Sequence, residues 1–368
     1  MLACWRHEEA ARPTPGAVTA TPPPVGVVAN PASGRDIRRL TTGASVFDNA
    51  EKGNMVRRLM AGLGAVGVER VLMMPAGDGL GQSLERGLRG QGRHGPDDLP
   101  ELEVLEMRVR GEASDTTAAV RAMRERGVGA IVVLGGDGTH RVVAGEAGDV
   151  PLCALSTGTN NAFPELREAT VAGLAAGLVA TGRVTGGLRR EQVLSVTVDG
   201  EEGAEWALVD VAASAQRFVG ARALTRLEDL HEFVVAFGAP GGVGLSGVAG
   251  LLDPAARAQG HGLHVRLAPP GATPERVVAA PVAPGLVARV PVAEIRRVAP
   301  GEAVAFPPRP GCLALDGERE RELRGSEEIH VLLDPGGPRT IDVGAVMAEA
   351  AARGLLGRAP SAPARGEW

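Results

Sequence analysis

Tyrosine is absent from the 368 residues, and aromatic side chains of all kinds make up only 2%. Lys52 is the single lysine among 39 basic residues. The three cysteines, Cys4, Cys153 and Cys312, are widely separated and form no CxxC pair. Each shortage excludes something. Nucleic-acid binding wants a basic surface and usually stacking aromatics, whereas the net charge here is −5. A structural zinc site wants clustered Cys and His. Isolated thiols fit a reducing compartment, so a cytoplasmic location is expected. The segment from Met1 to Pro24 lacks the apolar core of a signal peptide and reads as a disordered leader, and 359–368 reads as a disordered tail. The preference for Arg over Lys, with abundant Ala and Gly, is the drift of a GC-rich genome.

What is present is enough for two domains: 44% hydrophobic and 23% charged residues in a chain too long for one small core. The stretch Phe233 to Leu252 has no charge and is long enough to span a bilayer. It also holds Pro240 and glycines at 238, 241, 242, 244, 247 and 250. That spacing breaks a helix repeatedly and points to a Gly-rich loop beside a ligand, so no membrane is expected as a partner.

From Val25 onward short apolar runs alternate with helical periodicity. Strands are predicted at 25–29, 68–74, 102–107, 130–134 and 151–155. Helices are predicted over 49–65, 80–88, from the Ser114-Asp115 cap to about 126, and over 139–147 and 168–181. This βαβ rhythm predicts a parallel sheet covered by helices, an α/β nucleotide-binding domain over 25–183. After about Arg183 the pattern becomes short strands with turns between them: 193–198, 205–213, 263–267, 276–282, 286–292, 303–306, 311–315 and 329–333. That predicts an antiparallel β domain over 184–338. An amphipathic helix over 342–356 is expected to pack back on the first domain.

Three predicted strand ends carry loops suited to phosphate. They are Asn30-Pro31-Ala32-Ser33-Gly34, Gly135-Gly136-Asp137-Gly138-Thr139 and Ser156-Thr157-Gly158-Thr159-Asn160-Asn161. Bare glycines let backbone N–H groups converge on phosphate oxygens, and a following helix start adds a favourable dipole. In an open parallel sheet ligands sit at the carboxyl ends of the strands. Each loop alone could be an ordinary turn, but all three at successive strand ends argue for a site.

Gly-Gly-Asp-Gly-Thr after an apolar strand resembles the signature of the NAD kinase and diacylglycerol kinase superfamily. Residues 29–40, 44–49, 208–212 and 218–223 are similar to its ATP-NAD kinase-like group associated with acetoin catabolism. The resemblance spans roughly 25–356. It implies a Rossmann-like N-terminal domain, a C-terminal antiparallel β-sandwich and a cleft site between them. It further implies ATP and Mg²⁺ as cofactors and a role in NADP biosynthesis. Asp137 then matches the catalytic aspartate that acts as base toward the acceptor hydroxyl or helps place the metal. Asn30, Ser33, Gly34, Gly135, Gly136, Gly138, Thr139, Thr157, Gly158, Thr159, Asn160 and Asn161 match nucleotide-binding positions. Asp210 and Ser246 fall near the substrate loops. Asp316-Gly317-Glu318 matches the Asp-Gly-Glu of the lipid branch, with Glu318 catalytic and Asp316 toward the metal; a plain hairpin turn is the alternative reading. Val209-Asp210 stands where NAD kinases have Asn-Glu, so the acceptor is left as NAD, another nucleotide or another hydroxyl compound. His140 reads as a surface or capping residue. The expected activity is ATP-dependent phosphoryl transfer to such a hydroxyl. The alternatives are a lipid or small-alcohol kinase and a protein that senses NAD or ATP without turnover. The expected partners are a small-molecule nucleotide substrate and further copies of the chain in a homo-oligomer.

Overall fold

In the computed structural model, which describes residues 21–30, 45–76, 78–89, 99–199, 205–216, 227–317 and 319–357, five strands alternate with helices at the start. In chain order they are β1 (Val25–Ala29), α1 (Asn49–Ala65), β2 (Arg70–Met73), α2 (Asp78–Arg89), β3 (Glu101–Val104), α3 (Ala113–Glu125), β4 (Ala130–Gly135), α4 (Asp137–Ala147), β5 (Leu152–Ser156) and α5 (Ala169–Ala180). Local chemistry sets their ends. Asp48 caps α1, its carboxylate accepting from the Glu51 amide at 2.8 Å. Asp115 gathers the amides of Arg110, Gly111 and Glu112 at the start of α3. β1 and β4 are buried along their whole length, as parallel strands covered on both faces must be. One face packs on α1 and α5 through Leu59, Leu63, Ala172 and Ala176. The other packs on α3 and α4 through Val120, Met123 and Val143.

The chain then leaves this body and later returns. β6 (Leu188–Arg190) still belongs to the first sheet, and the departing run is β7 (Val193–Val198), β8 (Glu205–Ala207), β9 (Asp210–Ser214), β10 (Leu230–Val235), α6 (Leu245–Leu252), β11 (Gly262–Leu267), β12 (Arg276–Ala283), β13 (Leu286–Val298), β14 (Ala303–Phe306), β15 (Pro310–Leu315), β16 (Arg319–Arg324) and β17 (Ile329–Asp334). β18 (Arg339–Ile341) and α7 (Val343–Ala352) bring it back. The first sheet has the order β3-β2-β1-β4-β5-β18-β6. β18 runs parallel to β5, and β6 is antiparallel to β18. Val346 and Ala350 of α7 are buried in the first body's core.

The second body is antiparallel, with a sheet of order β12-β13-β11-β10-β9-β15-β16 and another of order β14-β17-β7-β8. Their facing sides share a core that includes Val196, Val211, Leu313 and Val331. α6 covers the outer side of the larger sheet, against Phe233 and Val265. The expected α/β fold with a C-terminal antiparallel sandwich is therefore present.

Four strands, β6, β10, β16 and β18, were not anticipated from the sequence. The strand predicted over 205–213 is two, because the amides of Leu208 and Val209 turn away to bind a carboxylate. Among the described residues no helix is long and apolar enough to cross a membrane. The uncharged stretch after Phe233 resolves into the end of β10, a glycine-rich loop and the eight-residue α6.

Candidate functional site

Strand order reverses at β1 and β4. β1 is followed by its neighbour β2 on one side, and β4 by β5 on the other, so the carboxyl ends of β1 and β4 mark the reversal point, where open parallel sheets bind their ligands. Hydrogen bonds link the three glycine and asparagine loops here. The Asn30 side-chain amide donates to Thr139 Oγ1 at 3.0 Å. Asp137 accepts from the Ala162 and Phe163 amides at 3.0 and 2.9 Å. Asn161 donates to Ser156 Oγ at 2.7 Å and to the Gly158 carbonyl at 3.3 Å. Gly136 must lack a side chain for this fit, since a Cβ there would lie 2.8 Å from Asn161 Oδ1. A Cβ on Gly135 would lie 2.7 Å from Thr139 Cβ. α4 begins at Asp137 with Gly136 as its cap, so its first amides and the positive end of its dipole are at the reversal point; Gly138 is half-buried in that first turn. In the third loop Thr157 is buried, Asn160 is half-buried, and Thr159 Oγ1 accepts from the Ser45 amide at 3.0 Å.

A cleft of about 900 Å³ runs from this third loop to the second body. Its other walls are residues 189–192, the glycine-rich loop after β10 and the turn carrying Arg257. The Arg257 guanidinium lies over the Phe237 ring, 4.3 Å from its centroid. Gln192 Nε2 donates to the Gly260 carbonyl at 2.8 Å and ties two of these walls together. Phe237 lies in the uncharged glycine-rich stretch that the sequence placed beside a ligand, whereas Arg257 and Gln192 were not singled out: they are isolated residues more than 30 positions from the nearest phosphate-type loop, and no local pattern marks them.

Several expected site residues sit elsewhere or do other work. Ser33, Gly34 and Glu318 lie outside the described residues. Asp316 does not present a metal ligand. Its side chain is fully buried, and it accepts from the amides of Leu208, Val209 and Asp210 at 3.1, 2.7 and 3.3 Å and from Arg141 Nη1 at 3.1 Å. With Gly317 it also makes the hairpin turn between β15 and β16, both residues at positive φ. Asp210 is 9% exposed, at the start of β9, and its carbonyl accepts from the Asp316 amide at 2.9 Å. Ser246 is fully buried, and its hydroxyl donates to the Phe237 carbonyl at 2.9 Å, so it shapes the glycine-rich loop from behind.

Two ionisable groups beside the reversal point are buried. His140 is not a surface residue: it is 0% exposed, with Nδ1 donating to the Gly136 carbonyl at 2.8 Å. Burial lowers its imidazole from 6.5 to about 4, opposed by the carbonyls of Gly136 and Val133, so the ring is neutral. Lys52 on α1 is 1% exposed and donates from Nζ to the Asn30 carbonyl at 3.1 Å. Burial lowers its amine from 10.5 to about 8, opposed by the charge of Asp48.

Residues 25–184 match the ATP-NAD kinase N-terminal domain, and residues 192–336 match the acetoin catabolism protein X C-terminal domain. Over 357 residues the chain is 45% identical to acetoin catabolism protein X of Cupriavidus necator, a match covering 95% of this chain and 99% of that protein. The chain belongs to the acetoin catabolism protein X family. Among solved structures, an NAD kinase from Archaeoglobus fulgidus in complex with ATP is similar at 12% identity with a TM-score of 0.37, over 78% of this chain and 100% of that one. In this member of the family the first matched region ends just before β6, and the second runs from just before β7 to just after β17.

Proposed function

We propose that the chain is an ATP-dependent phosphotransferase of the NAD kinase type, acting on a hydroxyl of NAD or a related small molecule. The observation that carries this reading is the linking of Asn30, the glycine loop and the third loop where strand order reverses, with the third loop lining a cleft roomy enough for a nucleotide. Phosphoryl transfer asks mainly for positioning and charge neutralisation. The glycine amides of 135–138 and the start of α4 would bind the donor phosphates. The acceptor oxygen would form the new bond to the γ-phosphorus as the bond to the bridging oxygen of ADP breaks. Asp137 would take the hydroxyl proton. A carboxylate can accept about four hydrogen bonds, so those from Ala162 and Phe163 do not by themselves exhaust it. The side chains gathered at the reversal point, Asn30, Asp137 and Thr139, are hard oxygen donors of the kind Mg²⁺ prefers alongside phosphate. Were Asp137 to hold Mg²⁺ in place of taking the proton, the ion would supply charge neutralisation on the triphosphate.

The test is a phosphotransfer assay with MgATP and NAD, reading NADP with an NADP-specific dehydrogenase, beside Asp137→Asn. NADP formed by the parent chain and abolished in the variant supports the reading. MgATP binding with no product from NAD rules out NAD as acceptor and favours nucleotide sensing, a reading supported by the engagement of Asp137 with the third loop.

A further inference from the structure

The cleft that the third loop lines carries five ionisable side chains: Glu165, Arg189, Arg190, Glu191 and Arg257. Four of them are paired. Glu165 meets Arg167 at 2.6 Å and Arg190 meets Asp149 at 2.5 Å. Arg189 lies 3.7 Å from Glu191 and 3.4 Å from Asp342, and Glu191 also accepts from the Thr340 hydroxyl at 2.6 Å. Arg257 has no carboxylate partner among the described residues; its guanidinium lies on the Phe237 ring instead. The carboxylate four positions before it, Asp253, is taken by Arg297 in two bonds of 2.5 and 3.0 Å. The cleft wall therefore holds one uncompensated charge, and that charge is positive. It is also held in place. Arg257 opens a single short turn (Arg257–Gln259), closed by the Gly260 amide on the Arg257 carbonyl at 3.0 Å. Gln192 binds the Gly260 carbonyl, and Arg297 Nη1 donates to Gln259 at 2.6 Å. Phe237, beneath the guanidinium, is 5% exposed and belongs to the second body's core. Stacking on that ring occupies a face of the guanidinium and leaves its in-plane N–H fork uncommitted, so little side-chain freedom is lost when the fork closes on two anionic oxygens.

We propose that Arg257 sets the acceptor specificity of this cleft by receiving a carboxylate or phosphate group of the hydroxyl compound to be phosphorylated. The acceptor class is then a hydroxy acid or a phosphorylated alcohol, a nucleotide included, and not a neutral alcohol. The inference rests on the phosphotransferase reading and narrows its acceptor. The physical reason is desolvation. In the empty cleft Arg257 is exposed and water meets its charge. A neutral acceptor that filled the cleft would displace that water and leave the guanidinium unpaired, whereas an anionic one replaces the water with charge-assisted hydrogen bonds.

The experiment is modification of the full chain by phenylglyoxal, which attacks accessible arginines, read site by site by mass spectrometry. Arg276 at the start of β12, exposed and outside the cleft, is the internal control. The probes are inorganic phosphate, glycerate, glycerol and MgATP, each alone and at constant ionic strength. Phosphate or glycerate is expected to slow the modification of Arg257 saturably, by about three-fold where the anion stands at twice its Kd. Glycerol should protect neither arginine, and Arg276 should react alike throughout. Protection by phosphate alone selects phosphorylated acceptors, and protection by glycerate selects hydroxy acids. Protection by neither anion, or equal protection of Arg276, overturns the proposal. Protection by MgATP as strong as that by phosphate assigns Arg257 to the donor and overturns it as well. In the phosphotransfer assay Arg257→Gln is expected to raise the KM for NAD about ten-fold or more while the KM for MgATP stays where it is. An unmoved KM for NAD overturns the proposal and leaves the phosphotransferase reading standing. If NAD gives no product, protection decides: a protected Arg257 keeps the anion site while that reading loses NAD as its acceptor.

Discussion

Arg141 of α4 reaches across to Asp316 at the β15–β16 turn, with side chains 8% and 0% exposed and Nη1 3.1 Å from the carboxylate. Arg141 lies one turn beyond Asp137, on the helix that opens at the glycine loop. Asp316 is held at φ +52, the one positive value at a non-glycine position among the described residues, by amides of the segment between β8 and β9. The pair therefore joins the helix that opens at the glycine loop to the larger sheet of the second body.

Removing one partner of such a pair leaves a buried charge uncompensated. Arg141→Met is expected to destabilise the chain by about 3–5 kcal/mol in urea unfolding. Adding Asp316→Asn should cost less than the sum of the two single changes, because the second charge is already unpaired. Additive losses would show that the two groups do not act as a unit.

Gly136→Ala separates function from fold. The Gly136 backbone, at φ −95 and ψ −177, is open to any residue, so the change adds no backbone strain. The added Cβ meets Asn161 Oδ1, the end of a side chain that can swing away. Stability should fall by under about 1 kcal/mol. The displaced Asn161 would release Ser156 and Gly158, however, and loosen the third loop. MgATP affinity should drop about ten-fold or more with an almost unchanged melting temperature. Unaltered affinity would remove Asn161 from the account of the site.

Much of the first body was readable because its signals are local. α1 runs over the same residues as its periodicity predicts, with Asp48 as an adjacent cap. The glycine loop sits directly between an all-apolar strand and a helix start. What was not readable depends on contacts far apart in the chain. Nothing near Leu208 and Val209 announces that their amides turn to a carboxylate more than 100 residues later. β10 was missed because His231 and Glu232 interrupt its apolar pattern, and Glu232 is nonetheless buried, with His264 Nε2 of β11 2.8 Å from its carboxylate. The inward turn of Asp316 is invisible for the same reason: Asp-Gly reads as a hairpin wherever its carboxylate points.

The contact between α1 and α5 is another long-range feature, and it rests on missing side chains. A Cβ on Gly173 would lie 2.3 Å from the Leu59 carbonyl oxygen, and one on Gly62 would lie 2.2 Å from the Thr170 carbonyl oxygen. Both obstacles are backbone, so neither can swing aside. Gly173→Ala gains up to about 1 kcal/mol of helix propensity. Forcing the two helices apart costs about 1–3 kcal/mol or more. The net expectation is a loss of about 1–2 kcal/mol in urea unfolding. A stabilised variant would mean that propensity wins and that the helices separate at little cost.

His140 makes folding sensitive to acid. Its imidazole titrates near 4 in the folded chain against 6.5 in the unfolded one, because burial disfavours the charged ring. As pH falls below about 6.5 the unfolded chain takes up this proton first, so stability is lost progressively until about pH 4 and is fully present above the unfolded value. Between pH 7 and pH 5 the contribution of this one residue is about 2 kcal/mol. Other groups titrate in that range, so the informative quantity is a difference between chains. His140→Gln, neutral throughout and of similar length, should be about 2 kcal/mol less sensitive to the change from pH 7 to pH 5 than the parent. Equal sensitivity in both chains would show that the folded ring can be protonated where it sits, and that the core behind the glycine loop admits charge.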